Sequence, residues 1–255
     1  MTGTDSDLVV LKLGGSVITD KDSPETVDDE ALHRVLDAVA STSKSEDGRL
    51  VVVHGGGSFG HVHAADHGVS TTTGTSDAAA ATAIHGAMKR LNGVVVDRLQ
   101  ERGVAALPVH PLSVAARDAE GVLSLPAGAT EGLLEEGFVP VLHGDVIAHA
   151  GEGVTVLSGD EIVTSLADSL GASRVGLCST VPGVLDEHDA VIEEIRSFED
   201  VASVLGDSES TDVSGGMAGK VQELLALGAP AHIFGPDAVG DFLSGERAGT
   251  LVDGR

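Results

Sequence analysis

Tryptophan and tyrosine are absent from the 255 residues, and phenylalanine and lysine occur only five times each. Asp and Glu number 40 against 15 Lys and Arg, which gives a formal net charge of −25. A nucleic-acid-binding surface needs clustered Lys and Arg to neutralise phosphates, so this composition excludes that class of protein. Such a negative charge destabilises a compact chain by self-repulsion unless salt screens it, and we expect adaptation to a salt-rich cytoplasm.

Cysteine and long apolar runs are also scarce. The single cysteine, Cys178, excludes an intramolecular disulfide and a cysteine-based zinc cluster, and its apolar neighbours predict a core position. No run approaches the roughly 20 apolar residues of a membrane span, and residues 1–7 lack the basic start of a secretory signal. We therefore expect a cytoplasmic protein that does not bind membranes. Its 42% hydrophobic residues suffice to build a core.

Short apolar runs alternate with helical patterns along the chain. The runs predict buried strands at 8–13, 50–53, 105–109, 138–142, 174–178 and 232–234. Apolar residues at helical spacing predict helices at 24–39, 78–102, 160–170 and 217–227. Ser23 and Pro24 fit the N-cap and first position of the first helix. This alternation indicates a mostly parallel sheet covered by helices on both faces.

Polar and glycine-rich stretches punctuate this pattern. Residues 41–48 and the Thr/Gly/Ser-rich residues 68–77 predict loops, the second a mobile one at the surface. Residues 149–153 either separate two α/β halves, 1–150 and 151–255, or form the turn of a β-hairpin around 145–157. The two halves would share one continuous sheet and could form a single domain.

Two glycine motifs resemble known nucleotide signatures only in part. Gly55-x-Gly57-x-x-Gly60 matches the dinucleotide fingerprint, but the strand with an acidic end expected about 20 residues later is missing. Residues 215–220 resemble a Walker loop, but Ser214 and Val221 replace the residues that such a loop requires. We therefore favour neither a nicotinamide enzyme nor a P-loop protein.

Three glycine-rich segments nevertheless share one chemistry, since each lies at a strand end or a helix start. They are residues 12–21, 54–61 and 212–220, and they hold three of the five lysines, Lys12, Lys21 and Lys220. Exposed backbone N–H groups, helix N-termini and ammonium groups together suit a polyphosphate. The sequence therefore predicts a site for a small phosphate-bearing substrate, although each lysine singly could be a surface residue.

In this order, the segments Lys12-Leu-Gly-Gly-Ser16, His54 to His61, His143-Gly-Asp-Val146, Ser158-Gly-Asp160 and 212–220 resemble the amino acid kinase superfamily. Gly-Ser-Phe-Gly-His61 resembles the archaeal isopentenyl phosphate kinases in particular. The resemblance implies an open αβα sandwich, a homodimer, an N-terminal lobe for the phosphate acceptor and a C-terminal lobe for ATP. It also implies transfer of the ATP γ-phosphoryl group to isopentenyl phosphate in isoprenoid biosynthesis.

The resemblance implies a role for each matching residue. As catalytic groups it indicates Lys12, Lys21, His61, Asp160 and Lys220. As nucleotide contacts it indicates Lys12, Gly14, Gly15, Ser16, Gly57, Thr180, Gly216 and Lys220. As acceptor contacts it indicates Gly55, Gly56, Gly60, Gly144, Asp145 and His61, the last placed at a helix N-terminus. Asp160 would orient the lysines rather than act as a base, since the acceptor is already an anion. Ile84 and Met88 are candidates for the acceptor's apolar tail by position alone.

Several alternatives stay open on sequence. Asp160 also fits the first turn of a helix without a ligand, and Asp145 fits a turn. We interpret His54, His63, His67 and His143 as core or solvated residues rather than metal ligands, and expect Mg²⁺ to be held mainly by phosphates, with no dedicated protein ligand. A sibling kinase acting on glutamate, acetylglutamate or carbamate is the main rival, and a non-catalytic nucleotide sensor is a weaker one.

One segment departs from the family pattern. Residues 179–185 read Ser-Thr-Val-Pro-Gly-Val-Leu where the family has Thr-Asp-Val-Asp-Gly-Val-Tyr. Two acidic residues and an aromatic ring are missing near the expected adenine side. The departure puts the base and ribose contacts in doubt, and with them the preference for ATP over GTP.

Overall fold

A computed structural model describes residues 7–42, 49–205 and 216–255. Over these residues the chain forms twelve strands: β1 (Leu8–Leu13), β2 (Arg49–His54), β3 (Ala106–Pro108), β4 (Ala116–Arg117), β5 (Leu123–Ser124), β6 (Val139–His143), β7 (Asp145–His149), β8 (Gly153–Leu157), β9 (Arg174–Cys178), β10 (Glu194–Ile195), β11 (Ala231–Phe234) and β12 (Thr250–Val252). The same ranges contain nine α-helices: α1 (Gly15–Ile18), α2 (Asp29–Thr42), α3 (Gly57–Asp66), α4 (Ala78–Glu101), α5 (Gly128–Glu135), α6 (Gly159–Leu170), α7 (Ala202–Leu205), α8 (Gly216–Leu225) and α9 (Val239–Leu243).

Eight strands form the main sheet in the order β10-β12-β11-β9-β1-β2-β6-β3. Neighbouring strands are parallel except for β11 and β12. Buried residues of α2, α4 and α9 pack on one face of this sheet, and those of α5, α6 and α8 pack on the other. The expected open αβα sandwich with a mostly parallel sheet is confirmed.

The central strand β1 shows why apolar runs without alternation predict this fold. Leu8 and Val10 belong to the core on the α6 side, whereas Val9, Leu11 and Leu13 belong to the core on the α2 and α4 side. Because both faces are covered, every position of the strand is buried and can be apolar. Lys12 continues the row of Leu8 and Val10, so its ammonium group enters the α6 side of the sheet.

Helix starts depend on small polar caps. Ser158 accepts a hydrogen bond from the backbone of Glu161, whose carboxylate accepts one from the Ser158 backbone N–H, which makes a capping box at the start of α6. The Asp77 side chain caps α4 by accepting from Ala79 N. The predicted helices at 78–102, 160–170 and 217–227 are confirmed, with small shifts at their ends.

The start predicted for the first long helix is wrong. Helix α2 begins at Asp29, not at Pro24, and Asp28 rather than Ser23 caps it by accepting from Ala31 N. Residues 19–27 instead fold back on themselves, because Thr19 and Val27 form an antiparallel bridge. At its other end α2 includes residues 41 and 42, which were predicted as loop, and residues 43–48 of that prediction lie outside the described residues.

Residues 150–152 form the turn between β7 and β8, which confirms the hairpin predicted around 145–157. This hairpin belongs to a second sheet in the order β5-β4-β7-β8. Residues 68–77 run beside it, where Thr75 bridges Val154. Across 7–42, 49–205 and 216–255, no helix is both long and apolar enough to span a bilayer.

Gly176 provides a test of the packing between β9 and α9. A Cβ at this position would lie 2.5 Å from the Phe242 ring, which stacks on Phe234 with centroids 4.9 Å apart. Gly176→Ala should therefore lower the free energy of unfolding by about 1–3 kcal/mol through overpacking. The matched control is Gly93→Ala within α4, where a Cβ meets nothing within 4 Å. That change should be neutral or should stabilise by up to about 1 kcal/mol. Equal denaturant midpoints for the two variants would contradict the overpacking.

Candidate functional site

The candidate site lies at the carboxyl ends of three adjacent parallel strands. In register, Leu13 of β1 lies beside His54 of β2 and Cys178 of β9. The chain turns away from each strand directly afterwards, and Gly14 N donates to Cys178 O while Gly55 N donates to Leu13 O. Because parallel strands end at one edge, segments distant in sequence converge there, as is usual for open α/β sheets.

These segments line a cavity of ≈ 490 Å³. It brings together the predicted residues Lys12, Gly14, Gly15, Ser16, Lys21, Gly55, Gly56, Gly60, His61, Gly144, Asp145, Asp160, Thr180 and Lys220. Gly57 and Gly216 do not contribute to its lining, and residues 212–215 of the third glycine segment lie outside the described residues. The volume is within the usual range for small-molecule sites.

Gly57 is instead required where two loops touch. A Cβ on Gly15 would collide with the Gly57 backbone, and one on Gly57 would lie 2.7 Å from Gly15 O. Gly57 also has a φ of 47°, which favours glycine. Thr19 Oγ1 secures this contact by donating to Gly15 O at 2.8 Å and accepting from Ser58 N at 3.0 Å. Gly57 therefore acts on the cavity through the loop of Gly15.

The cationic end of the cavity is centred on one carboxylate. Lys12 Nζ donates to Asp160 Oδ1 at 2.6 Å, and Lys220 Nζ lies 3.9 Å from Asp160 Oδ2. Burial lowers the pKa of Lys12, and the nearby Asp160 charge opposes that shift. The Asp160 carboxylate therefore orients both ammonium groups, and a bound polyphosphate would meet two cations held close together.

Glu223 belongs to this cluster and was missed by sequence reasoning. It lies one turn after Lys220 on α8, and although its side chain reaches solvent, its pKa is raised. The largest cause is partial desolvation, followed by repulsion from Asp160 and Glu161, against attraction from Lys12 and Lys220. The i, i+3 spacing from Lys220 was the available signal.

Another part of the lining forms an apolar end of the cavity. Ile84 and Met88 of α4 line it, together with Ala64, Ala65, Val69 and Val156. His61 also lines it, but α3 begins at Gly57, so His61 lies in the second turn and not at the helix N-terminus as predicted. The imidazole, rather than a free backbone N–H group, is therefore what His61 offers to a ligand.

Asp145 is a buried residue of the cavity wall. Its carboxylate accepts from His85 Nδ1 at 2.8 Å and from the backbone N–H groups of Val146 and Leu112. Burial raises the pKa of Asp145, and the His85 contact counteracts the rise. Asp145 is thus a connected residue of the cavity wall rather than a free turn residue, and His85 is a partner that sequence reasoning did not identify.

Two of the histidines left open on sequence form a buried pair below the glycine loops. His54 and His143 have no exposed surface, and their rings stack with centroids 5.7 Å apart. His143 Nε2 lies 2.9 Å from His110 Nδ1, and His54 bonds Asn92 and Gly55 O. The interpretation as core histidines is confirmed for this pair, whereas His67 is exposed at the end of α3.

The segment that departs from the family pattern borders the cavity with Ser179 and Thr180. Thr180 is exposed at the cavity mouth, and Ser179 N donates to Phe234 O. Gly183 is held tightly, because a Cβ there would lie 2.7 Å from Thr250 Oγ1. The loop is therefore fixed by backbone packing even though the acidic and aromatic residues of the pattern are missing.

Comparison with known proteins gives a consistent result. A profile of the amino acid kinase family matches residues 7–234. An isopentenyl phosphate kinase of Haloferax volcanii is 66% identical over 247 residues, which cover 97% of this chain and 99% of that protein. An isopentenyl phosphate kinase of Methanothermobacter thermautotrophicus is 32% identical over 269 residues, covering 97% of this chain and 100% of that protein.

Comparison with solved structures agrees with the sequence comparison. A solved structure described as isopentenyl phosphate kinase superposes with a TM-score of 0.81 at 28% sequence identity. The superposition covers 95% of this chain and 98% of the other. The likeness therefore extends over the elements that build the cavity as well as those that build the core.

The buried His54 predicts a pH dependence of stability. Burial lowers the pKa of His54 from 6.5 to about 4, so between these values protons bind the unfolded chain preferentially. Stability should fall as the pH drops through this window, and this one group contributes a loss of about 2 kcal/mol between pH 7 and pH 5. Urea unfolding at the two pH values should show a smaller loss for His54→Gln, with exposed His67→Gln as the control. Identical losses for His54→Gln and the unmodified chain would exclude His54 as a source.

Proposed function

This chain belongs to the amino acid kinase family, among its isopentenyl phosphate kinases, and we propose that its cavity aligns ATP with isopentenyl phosphate for phosphoryl transfer. The observation that carries the proposal is one cavity with a cationic end around Asp160 and an apolar end beside Ile84 and Met88. A short isoprenoid phosphate has the same two-part character. The products are isopentenyl diphosphate and ADP, in keeping with isoprenoid biosynthesis.

The reaction forms one P–O bond and breaks another. An oxygen of the acceptor phosphate attacks the γ-phosphorus of ATP, and the bond from that phosphorus to the β,γ-bridging oxygen breaks. The acceptor is an anion at neutral pH, so no base is required, and the demand is to align two anions and stabilise the moving charge. Asp160 serves this purpose by holding Lys12 and Lys220 in place.

On the nucleotide side, Lys12 contacts the transferring phosphoryl group and Lys220 holds the ATP phosphates from the far side. Lys21 reaches over the γ-phosphate and stabilises its charge in the transition state. Backbone N–H groups of Gly14, Gly15 and Ser16 donate to the same phosphates. Thr180 borders the nucleotide at the cavity mouth, and Gly57 and Gly216 contribute by backbone placement.

On the acceptor side, His61 binds the acceptor phosphate. The loop residues Gly55, Gly56 and Gly60 lie between donor and acceptor, and Gly144 and Asp145 border the phosphate. Ile84 and Met88 receive the isoprenoid tail. This division supports an acceptor role for residues 1–150 and an ATP role for residues 151–255, with Lys12 and the first glycine loop shared between substrates.

Magnesium is implied by the family. Among the described residues, no group of three or more His, Cys, Asp or Glu side chains is arranged to hold a metal ion, and Asp160 already bonds Lys12. This donor set suits an ion held mainly by phosphate oxygens and water. Bound in that way, Mg²⁺ would offset phosphate charge. The family resemblance also supports a homodimer.

The amino acid acceptors are less well supported. A carboxylate would need a cationic clamp at the acceptor end, and the residues lining that end offer His61 and apolar side chains. Arg90 is close in sequence, but its guanidinium is bonded to Glu25. A non-catalytic sensor is also disfavoured, since Lys12, Lys21 and Asp160 are all retained at the cavity.

The proposed reaction is tested by ADP release with ATP and magnesium in molar KCl. The acceptors offered are isopentenyl phosphate, dimethylallyl phosphate, glutamate, acetylglutamate, carbamate and UMP. We expect turnover with isopentenyl phosphate, and ³¹P NMR should show the diphosphate product. Turnover only with an amino acid acceptor, and none with isopentenyl phosphate, would contradict the isoprenoid assignment.

Replacing His61 tests the acceptor site. His61→Ala should lower kcat/KM for isopentenyl phosphate at least about 100-fold, since a charge-assisted contact to the phosphate is lost, while ATP still binds. Calorimetric titration with a non-hydrolysable ATP analogue checks the second point. The matched control is His67→Ala, an exposed histidine at the end of the same helix. Near-normal turnover of the His61 variant would remove this residue from the site.

We also propose that the −25 charge reflects adaptation to salt. Raising KCl from about 0.1 M to about 2 M shortens the screening length to a few ångströms and should relieve self-repulsion. Thermal unfolding should then shift upward by at least about 10 °C. A melting temperature that is unchanged across this range would speak against the proposal.

A further inference from the structure

Lys21 is carried by an exposed turn that joins α1 to α2. Thr19 and Val27 bridge in antiparallel fashion, and Asp20 N donates to Thr26 O at 3.0 Å, so the residues between them form a reverse turn. Lys21 lines the cavity from this turn and is itself exposed. An exposed turn gives little structural support to the Lys21 ammonium group, which must contact the transferred phosphoryl group.

The backbone of the turn is fastened to helix α3. Glu25 N donates to Ser58 O at 3.0 Å. Ser58 Oγ donates to Thr26 O at 3.2 Å and also lies 3.4 Å from Thr26 N. Ser58 lies in the first turn of α3, the helix whose next turn presents His61 to the cavity.

The Glu25 carboxylate makes a second connection. It accepts from His63 Nε2 at 2.5 Å and from both Nε and Nη2 of Arg90 at 2.6–3.1 Å. His63 lies two residues after His61 on α3, and Arg90 lies two residues after Met88 on α4. One side chain therefore ties the Lys21 turn to both helices that form the acceptor end. The pKa of Glu25 is lowered, chiefly by the Arg90 contact and then by His63.

The backbone of Glu25 is strained. Its φ is 49°, and Glu25 and Asp189 are the two non-glycine residues with positive φ in the described part of the chain. A left-handed conformation costs a residue with a side chain about 1–2 kcal/mol and persists where surrounding contacts enforce it. Glycine would satisfy this turn without strain, whereas the glutamate present here adds a carboxylate that contacts two helices.

We propose that Glu25 is a positioning residue, whose carboxylate fixes the Lys21 turn against the His61 helix and so sets the separation of Lys21 and His61. This inference rests on the proposed phosphoryl transfer, in which the two residues act on opposite sides of the transferred group. A simple surface ion pair would contribute little, typically below about 1 kcal/mol. Glu25 differs from such a pair because two helices share its carboxylate and its own backbone is strained.

Three variants separate positioning from turn stability. Glu25→Gln should lower kcat about tenfold or more and leave KM for ATP within about twofold, because misplacement of about 1 Å costs rate rather than binding. Glu25→Gly relieves the backbone strain, so its melting temperature should hold or rise while kcat still falls. The matched control is Glu30→Gln, which breaks the exposed Glu30–Arg34 pair on α2 and should leave kcat unchanged.

The energetic coupling between Glu25 and Arg90 gives an independent measure of the positioning role. Arg90→Gln removes only the α4 contact and should lower kcat in the same direction, and the double variant should lose little more than Glu25→Gln alone, since both changes break the contact of Glu25 with Arg90. Amide hydrogen exchange at Asp20 and Glu25 should accelerate in Glu25→Gln, and this readout requires no substrate. Inactivity of the unmodified chain toward isopentenyl phosphate would refute the proposed function alone. A Glu25→Gln variant with normal kcat or unchanged amide exchange would overturn the positioning role.

Discussion

The site depends on one buried ion pair, that of Lys12 with Asp160. Lys12 occupies the end of the central strand, in a row that is otherwise core, where burial disfavours its charge and lowers its pKa. A lone ammonium group there would be costly, and removing its partner would leave an uncompensated charge. Asp160 meets this demand because the capping box starts α6 so that its first turn lies over the end of β1. The same carboxylate faces Lys220, so the fold that buries Lys12 also assembles the cationic end of the cavity.

The tight approach of the loops of Gly15 and Gly57 complements this pair. Parallel strands bring several chain turns to one edge, and side chains would keep those turns apart. Glycine lets these two loops touch, and long side chains such as Lys12, Ile84 and Met88 then shape the cavity that remains. A charged cluster and an apolar pocket meet at the same edge, because Asp160 of α6 draws Lys12 and Lys220 together while Ile84 and Met88 of α4 line the same cavity.

Much of this could be predicted from sequence, since strand runs, glycine loops and lysines are local signals. Most of the predicted site residues do line one cavity. The start of α2 could not be read, because Ser23 and Pro24 also suit a reverse turn and the deciding bridge of Thr19 with Val27 is a tertiary contact. The connections of Glu25 to His63 and of Asp145 to His85 join residues 38 and 60 positions apart, and no periodicity reports such pairs.

Charge distribution explains how an acidic chain can handle anionic substrates. Most of the arginine charge is neutralised locally by a neighbouring carboxylate. The arginines in such contacts are Arg34, Arg90, Arg98, Arg102, Arg117, Arg196, Arg247 and Arg255. The lysines at the cavity carry the positive potential that a phosphate would meet. At low ionic strength the acidic surroundings would repel a phosphate before it reached them, whereas screening over a few ångströms removes that barrier and leaves contact interactions intact. Salt would then favour both substrate entry and the stability of the folded chain, because it screens the surface carboxylates whose repulsion opposes both.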